Sequence, residues 1–304
     1  MIETILSKKI EDGGKIIKPS NEKSILNLKR DKIIKIFEDK GIILFRDFKI
    51  LKEDIIKFTN KFTLSYANDA NRRTLRFNNN NIRNVDKGKV EIFIHSEASY
   101  SPSWPEVVWF YCNNPPIKHG QTTICDGNNI FKQFDAELKK YFLANEIVYK
   151  LKIPFGKHIK KKNGKTNNLK PWYIEYPGIK DCFINFKKNE ILFKLKRYAV
   201  SETRKPNKIS FCNHVQIPLE SDDQLISIEL EGGKKIPKKI LKKVSKITQK
   251  LIFEIEWQKK DLLMIDNRRI MHGRRKIFIK DKTRDIVNIQ TLRANFGYGS
   301  TTRI

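Results

Sequence analysis

The feature that most constrains the fold is a series of short β-rich runs separated by polar turns. The runs are KVEIFIH at 89–95, EVVWFYC at 106–112, EIVYKLKI at 146–153, KISFCNHVQI at 208–217, DLLMID at 261–266 and DIVNIQTL at 285–292. Runs of this length, rich in β-branched and aromatic residues, are typical of β-strands. Many short strands with long insertions favour a β-sandwich or a jelly-roll barrel over a parallel sheet. We therefore expect a mainly β fold with flanking helices.

Helical patterns precede and interrupt these strands. Apolar residues recur near helical spacing over 21–39, where Gly41 ends the pattern, and again over 51–62, with a strand at 41–46 between them. Further helices are expected at about 128–143, after the capping candidate Asp126, and at about 237–250. They would pack outside the sheet. Because no repeat or linker divides the chain, we expect one domain over 1–304, with its N-terminal helical elements at about 1–63.

Two polar segments are predicted to be loops. Residues 157–170 are nearly all basic, amide or glycine, and so little apolar content predicts a mobile basic surface loop. The asparagine-rich segment at 78–83 is likewise expected to be a loop.

The charge of the chain raises the question of a nucleic-acid partner. The 304 residues include 62 Lys and Arg against 34 Asp and Glu, a formal net charge of +28. The excess is mostly scattered Lys accompanied by Ile and Asn, as an AT-rich coding sequence produces without selection for a ligand. A solvated lysine surface is therefore favoured over a nucleic-acid surface. A hydrophobic content of 39% excludes a disordered polycation.

Other compositional signals concern the cell compartment. No run approaches the roughly 18 apolar residues of a membrane span, and the first residues lack the apolar region of a signal peptide. We therefore expect a cytoplasmic protein. Cys112, Cys125, Cys182 and Cys212 form no C-x-x-C pattern, so reduced, buried thiols are expected rather than disulfides or a zinc site.

The first chemically informative pattern is the pair His95 and Glu97, at the end of the run at 89–95. Strand alternation places Phe93, His95 and Glu97 on one face and the aliphatic residues of the run on the other. Two ligands that point the same way, about 7 Å apart along the strand, suit a metal that takes two of three ligands from one segment. Taken alone, the pattern is equally compatible with an ordinary surface strand end.

The second pattern follows the run at 261–266. The segment DNRRIMHGR at 266–274 brings His272, and Arg284 stands at the start of the next strand. A histidine and an arginine on two adjacent antiparallel strands can both face one cavity. The histidine would serve as a neutral metal ligand and the arginine as a planar fork for a carboxylate. Taken alone, a histidine such as His272 is more often a structural turn residue, and an arginine such as Arg284 is more often a surface charge. The prediction therefore depends on the two residues together.

Together these motifs resemble the Fe(II)- and 2-oxoglutarate-dependent dioxygenases of the taurine dioxygenase and clavaminate synthase type. The resemblance is carried, in the family's order, by HSE at 95–97, YSPSWP at 100–105, FYC at 110–112, GQT at 120–122, Asp126, DNRRIMHGR at 266–274 and Arg284. It covers about residues 41 to 293. Within the family, the sequence is most similar to the branch that resembles the syringomycin-pathway aspartyl hydroxylase, which acts on amino acids, some of them tethered to carrier proteins.

The resemblance implies a double-stranded β-helix (jelly-roll) core and a site for Fe(II). His95, Glu97 and His272 would be the metal ligands, and Arg284, with Thr122, would bind the distal carboxylate of 2-oxoglutarate. The implied reaction consumes dioxygen, converts 2-oxoglutarate to succinate and carbon dioxide, and usually hydroxylates an unactivated C–H bond of the substrate. Glu97 stands where many relatives have Asp, and a Glu at this position is typical of the clavaminate-like branch. The presence of a carboxylate there argues against a halogenase.

The substrate and the partners are predicted less directly. The resemblance suggests an amino-acid-like small molecule, free or tethered to an acidic carrier protein that the net charge would attract. Desaturation, epoxidation or cyclisation by the same cofactor chemistry, and oxidation of a nucleic-acid-associated substrate, are the alternatives. Relatives are often homo-oligomers. Candidate substrate contacts are Arg76, Tyr100, Asn213 and His214. Trp104 could also border the pocket. For Tyr100, Asn213, His214 and Trp104, the alternative is a packing role without substrate contact.

Two residues depart from the family pattern. His119 precedes Gly120 where relatives have a second glycine, and we interpret it as a turn residue rather than a fourth metal ligand. Lys260 occupies a turn position where relatives often have Gly, which affects only the local turn geometry.

Overall fold

The computed structural model describes residues 1–67, 73–86, 88–154, 179–185, 190–218, 224–278 and 283–297. The basic loop predicted at 157–170 lies outside the described residues. Within the described part of the chain, no helix is both long and apolar enough to cross a membrane.

The described residues form five α-helices and nineteen β-strands. The helices are α1 (Arg30–Lys40), α2 (Lys52–Asn60), α3 (Gly127–Gln133), α4 (Ala136–Ala144) and α5 (Lys238–Leu251). The first ten strands are β1 (Ile2–Thr4), β2 (Lys15–Lys18), β3 (Ile42–Phe45), β4 (Thr63–Tyr66), β5 (Leu75–Arg76), β6 (Asn79–Asn84), β7 (Ile92–His95), β8 (Val107–Asn114), β9 (Thr122–Asp126) and β10 (Glu146–Pro154). The others are β11 (Ile179–Asn185), β12 (Glu190–Tyr198), β13 (Val200–Glu202), β14 (Ile209–Phe211), β15 (Leu225–Leu230), β16 (Phe253–Glu254), β17 (Leu262–Asp266), β18 (Ile270–Arg274) and β19 (Asp285–Ala294).

Two sheets frame the site. The larger has nine strands in the order β1-β2-β3-β17-β8-β19-β6-β5, with β4 also paired to β19, and the smaller has the order β16-β9-β18-β7. Their strands pair antiparallel except β2 with β3. One hydrophobic cluster joins Phe110 and Leu263 of the larger sheet to Ile124 and Ile270 of the smaller sheet. The two sheets therefore pack face to face around a shared core.

The outer face of the larger sheet is covered by helices. Phe37 of α1 and Phe58 of α2 share a hydrophobic cluster with Trp109 of β8 and Met264 of β17. Strand β8 is therefore buried on both faces, which explains why its sequence is apolar without alternation. The predicted mainly β fold with flanking helices is confirmed. The remaining sheets have the orders β11-β12-β10-β15 and β13-β14. Tyr149 of β10 and Phe211 of β14 share a hydrophobic cluster with Cys125 and Met271 of the smaller sheet.

Several predicted elements differ from those observed. The helix predicted over 21–39 is a short 3₁₀ turn (Ile25–Asn27) followed by α1, because Leu28 and Lys29 are extended, with ψ of 128° and 118°. The helix predicted at 128–143 is two helices, since Asp135 accepts a hydrogen bond from the backbone N–H of Leu138 and caps a second helix. Of the run at 208–217, only β14 is a strand.

The loop predicted at 78–83 is wrong, because β6 occupies most of that segment. Phe77 and Asn78 have φ of 52° each and make the turn of a hairpin with β5. Strand β6 also pairs with β19 and buries Ile82. Of the asparagines that indicated a loop, only Asn78 lies in the hairpin turn, and the others belong to β6.

Candidate metal centre

Three side chains with metal-binding atoms converge between the two sheets. His95 ends β7 and lies directly across from His272 on the neighbouring antiparallel strand β18. Glu97 follows two residues after β7. Its Oε2 lies 3.9 Å from Nε2 of His95 and 3.3 Å from Nε2 of His272, and the ligand atoms of the three residues lie within 4.8 Å of one another. Two imidazoles and one carboxylate in this arrangement can bind one face of an octahedral metal ion.

Local contacts orient His95 and keep His272 in the neutral form that binds metals. Nδ1 of His95 lies 2.8 Å from the carbonyl oxygen of Phe93. Because that oxygen can only accept, Nδ1 carries a proton, and this hydrogen bond orients the ring with Nε2 on the side of Glu97. His272 is buried, and burial lowers its pKa to about 4 although hydrogen bonding to Glu97 raises it. His272 is therefore neutral at pH 7.

The main chain of Glu97 is held by one side chain, that of Asn267. The backbone N–H of Glu97 donates to Oδ1 of Asn267, and Nδ2 of Asn267 donates to the carbonyl oxygen of Glu97, both at 2.9 Å. Ser96 Oγ also donates to the backbone carbonyl of Asn267 at 2.6 Å. The turn after β17 therefore fixes the segment that carries two of the three metal-binding side chains.

The carboxylate of Glu97 uses its two oxygens differently. Oε2 faces the histidines, whereas Oε1 accepts hydrogen bonds from Nε2 of Gln290 at 2.9 Å and from Nη2 of Arg73 at 3.1 Å. Burial would raise the pKa of Glu97, but the charge of Arg73 and the hydrogen bonds with both histidines outweigh it. The pKa therefore lies well below its ordinary value, so the carboxylate is ionised and one oxygen is oriented for a metal.

A cavity of about 630 Å³ opens onto these side chains. Thr122 of β9 and Arg284, which precedes β19, both line it. Nε of Arg284 donates to the carbonyl oxygen of Gly120 at 2.8 Å, and Oγ1 of Thr122 accepts from Nε1 of Trp257 at 2.9 Å. Gly120 has a φ of +72°, and a Cβ there would lie 3.2 Å from Cδ of Arg284. The glycine of the GQT motif thus allows both the turn and the close approach of Arg284.

One step of the sequence prediction is wrong. His272 and Arg284 do not lie on adjacent antiparallel strands, because β18 belongs to the smaller sheet and β19 to the larger. Their side chains reach the same cavity from opposite sheets.

A match to a family model decides what kind of protein this is. Residues 11–290 match the model described as taurine catabolism dioxygenase TauD, TfdA family. The chain belongs to the TauD/TfdA family of dioxygenases. It is therefore an Fe(II)- and 2-oxoglutarate-dependent dioxygenase that acts on a small molecule. A comparison with curated proteins gives no significant match.

Solved structures similar to this TauD/TfdA enzyme show the same fold. A taurine dioxygenase from Burkholderia xenovorans is 11% identical with a TM-score of 0.64, over 95% of this chain and 88% of that one. AAD-2 in complex with Mn(II) and N-oxalylglycine is 14% identical with a TM-score of 0.60, over 97% and 98%. PvcB from Pseudomonas aeruginosa is 12% identical with a TM-score of 0.58, over 91% and 85%. The double-stranded β-helix core predicted from the sequence is thus confirmed.

The donor set fits the iron that TauD/TfdA enzymes use. Two neutral imidazole nitrogens and one ionised carboxylate oxygen are the ligands of the Fe(II) facial triad. The phenyl ring of Phe110 lies 5.0 Å from the His272 imidazole, so an apolar wall flanks the ligands and limits access of water. His119 lies outside this group. Its φ is 66° and its ring lies 4.2 Å from Phe278, as expected of a turn residue.

Two of the four predicted substrate contacts line the cavity, namely Tyr100 and His214. Their rings lie 4.6 Å apart, and the His214 ring is 5.1 Å from that of His95. Burial lowers the pKa of His214 well below its ordinary value, and the nearby charge of His95 acts in the same direction. His214 is therefore neutral beside the candidate metal ligands.

The other two predicted contacts are engaged elsewhere. Arg76 makes a two-point ion pair with Asp285, with both N–O distances at 2.7 Å. Asn213 donates to the carbonyl oxygen of Ala199 and accepts from the backbone N–H of Val215. Neither residue is among the described residues that line the cavity.

Trp104 and the cysteines have packing roles. Nε1 of Trp104 donates to Oγ of Ser96 at 2.8 Å, while the guanidinium groups of Arg197 and Arg268 lie 4.5 and 5.1 Å from its ring. All four cysteines are free thiols, and three of them are buried.

Sequence reasoning missed three residues of the site: Asn267, Gln290 and Arg73. Asn267 lies within the DNRRIMHGR motif at 266–274, but nothing in the local sequence indicates that its amide would clamp Glu97. Gln290 and Arg73 carried no sequence signal, because the partner of each is distant along the chain.

Proposed function

We propose that this enzyme hydroxylates an unactivated C–H bond of an amino-acid-like substrate at the cavity between its two sheets. In this proposal His95, Glu97 and His272 bind Fe(II), and Arg284 and Thr122 bind the distal carboxylate of 2-oxoglutarate. The observation that carries it is the convergence of the three metal-binding side chains on a cavity that Arg284 and Thr122 also line. We also propose that the whole chain acts as one domain, which the family match over 11–290 supports.

Each residue has a definite task in this proposal. The hydrogen bond to Phe93 orients His95, and the Asn267 clamp holds Glu97 in place. Arg284 offers donors in a planar fork, which binds a carboxylate in one orientation and so aligns the other end of the cosubstrate with the metal. When bound, Fe(II) supplies the redox chemistry that couples decarboxylation of 2-oxoglutarate to oxidation of the substrate.

The substrate is proposed to be an amino acid, either free or tethered to an acidic carrier protein, as in the branch that resembles the syringomycin-pathway hydroxylase. The tethered form draws support from exposed lysines near the cavity. Lys89, Lys118 and Lys276 are exposed, and a hydrogen bond from the backbone N–H of Ile277 to the carbonyl oxygen of Lys89 joins two of their segments. Such a basic surface would attract an acidic partner.

The test is a screen of succinate release. The purified enzyme is incubated with Fe(II), 2-oxoglutarate and dioxygen, together with free L-amino acids and aminoacyl carrier proteins. The proposal predicts that at least one member of these two sets increases succinate release and gains one oxygen atom, as measured by mass spectrometry. A loss of two hydrogens instead would indicate desaturation or cyclisation. The proposal would be contradicted if oligonucleotides increased succinate release and neither the amino acids nor the aminoacyl carrier proteins did.

A further inference from the structure

The rim of the cavity carries a group of exposed apolar side chains. Among the described residues, eleven large apolar side chains are exposed, and four of them lie on three short segments at this rim. The four are Val90, Phe93, Ile117 and Phe278, with exposed fractions between 47% and 76%. Val90 and Phe93 also line the cavity. Single exposed apolar residues are ordinary on a protein surface, whereas a group of them among polar residues is typical of an interaction site.

Backbone pairing joins the three segments. The N–H of Ile277 donates to the carbonyl oxygen of Lys89 at 2.9 Å, and Ile277 also forms an antiparallel bridge with His119. The segment around Ile277 therefore lies between the other two segments. The surface that they form together, which we call the mouth face, comprises residues 89–93, 117–119 and 276–278.

The side chains of the middle segment alternate between the interior and solvent. A Cβ on Gly120 would lie 3.1 Å from Cγ1 of Ile277, so the Ile277 side chain points toward Gly120. Because side chains alternate along an extended chain, Lys276 and Phe278 point the other way, and both are exposed. The ring of Phe278 lies 4.2 Å from that of His119. The mouth face therefore presents a lysine and an aromatic ring to solvent from its middle segment.

The unpaired charges of the mouth face are positive. Lys89, Lys118 and Lys276 are exposed, and none of the three forms an ion pair with another described residue. The one acid of the mouth face, Glu91, lies 3.0 Å from Arg275 and is neutralised by it. Such a surface attracts anions. A second copy of the chain is a poor partner for it, because each copy has a formal net charge of +28.

Lysines and apolar side chains are mixed within each segment, which distinguishes a lipid surface from an acidic protein. Each of the three segments carries a lysine within two residues of an exposed apolar side chain. The core of a protein–protein interface is depleted of charged residues, so this mixture suits it poorly. At a lipid surface the mixture is favourable, since apolar side chains enter the acyl boundary while lysine ammonium groups reach anionic headgroups. We propose that the mouth face docks onto an anionic lipid surface.

Docking in this way has a consequence for the cavity. Val90 and Phe93 belong both to the mouth face and to the cavity lining, so the cavity would open toward the lipid headgroups. Docking requires neither metal nor cosubstrate, and it can therefore be measured separately from activity.

Vesicle sedimentation tests the docking. The full chain is sedimented with vesicles of phosphatidylcholine alone and with vesicles of equimolar phosphatidylcholine and phosphatidylglycerol. We expect binding to the mixed vesicles that is at least about tenfold tighter than to phosphatidylcholine. Each lysine near an anionic surface contributes about fivefold to the affinity. The triple variant Lys89→Gln, Lys118→Gln and Lys276→Gln should therefore bind the mixed vesicles about 100-fold more weakly than wild type.

A second variant tests the apolar contribution. Phe93→Ser combined with Phe278→Ser should weaken binding to the mixed vesicles by about tenfold or more, because two half-exposed rings lose their burial in the lipid. Salt screens the contribution of the lysines but not that of the phenylalanines, so this loss should persist in high salt. Leu64→Ser, at an exposed leucine of β4, is the matched control and should bind as wild type does.

The lysine control is on α5. The triple variant Lys238→Gln, Lys242→Gln and Lys246→Gln removes the same charge from exposed positions of that helix and should keep most of the affinity. Equal losses in the two triple variants would overturn the proposal, because binding would then follow the net charge alone. Absence of binding to the mixed vesicles, or wild-type binding by the phenylalanine variant, would also overturn it. Binding of soluble polyglutamate without binding of vesicles would assign the mouth face to an acidic protein instead.

Discussion

His95 and His272 lie directly opposite each other on the antiparallel strands β7 and β18, with imidazole centroids 4.7 Å apart. Because side chains alternate between the faces of a strand, a register slip of one residue would turn one imidazole away from the other. The candidate metal centre therefore depends on the pairing of the smaller sheet as much as on the identity of its residues. Glu97 completes it from the chain that leaves β7.

Removal of the Asn267 side chain should weaken metal binding. Asn267→Ala leaves the buried backbone N–H and carbonyl of Glu97 without their partners. We expect it to lower the free energy of unfolding by about 2–4 kcal/mol and the affinity for Co(II) by about tenfold. Urea unfolding and a Co(II) titration measure the two effects. Asn295→Ala, at an exposed asparagine, is the matched control. Wild-type Co(II) affinity in Asn267→Ala would show that Glu97 does not need the clamp.

Replacement of Arg284 should raise the requirement for 2-oxoglutarate. A charge-assisted contact contributes about 1.5–3 kcal/mol, so Arg284→Gln should raise the KM for 2-oxoglutarate by about tenfold or more. Steady-state succinate formation measures this change. The control is Arg293→Gln, since Arg293 is a half-exposed arginine that pairs with Glu106 at 3.3 Å. A raised KM in the Arg293 variant and none in the Arg284 variant would assign the role to Arg293.

The metal-free protein should lose stability as the pH falls from about 6.5 to about 4. The pKa of buried His272 is lowered from 6.5 to about 4, so the unfolded chain binds more protons than the native protein in this window. Protonation then favours unfolding, and the free energy of unfolding rises with pH. Urea titrations at several pH values should show a shallower slope for His272→Gln than for wild type. Equal slopes would mean that His272 does not remain neutral when buried.

Lys260→Gly should stabilise the protein. Lys260 has a φ of 72°, a left-handed conformation that costs a residue with a Cβ about 1–2 kcal/mol. After allowance for the greater flexibility of unfolded glycine, we expect a gain of about 0.5–1 kcal/mol, measured by urea unfolding. The neighbouring Lys259 is not among the residues with positive φ, so Lys259→Gly should not stabilise. Equal effects of the two changes would exclude backbone strain as the cause.

The sequence was sufficient for the elements that depend on local pattern. The strands of the core and helices α2 and α5 follow from runs and periodicity, and alternation along one strand placed His95 and Glu97 together. Tertiary pairings were not accessible in the same way. The strands of His272 and Arg284 were expected to be neighbours but belong to different sheets, since the crossover between sheets is not encoded in either strand.

The residues around Glu97 show the same limit. Its partners Arg73, Asn267 and Gln290 are 24, 170 and 193 positions away along the chain. Arg76 was predicted to contact substrate, yet Arg73, three residues earlier, lines the cavity. Nothing in the local sequence distinguishes the two arginines. The two arginines differ in their partners, because Asp285 at the start of β19 forms an ion pair with Arg76.

The assignment of the iron ligands is tested most simply by an anaerobic Fe(II) titration of wild type, His272→Ala and the control variant His119→Ala. His119 is outside the candidate metal centre, so its variant should bind one Fe(II) per chain with wild-type affinity. Loss of one of three protein ligands should weaken binding by His272→Ala by about 100-fold. We predict this difference between the two histidine variants. Equal Fe(II) affinity of His272→Ala and wild type would contradict it.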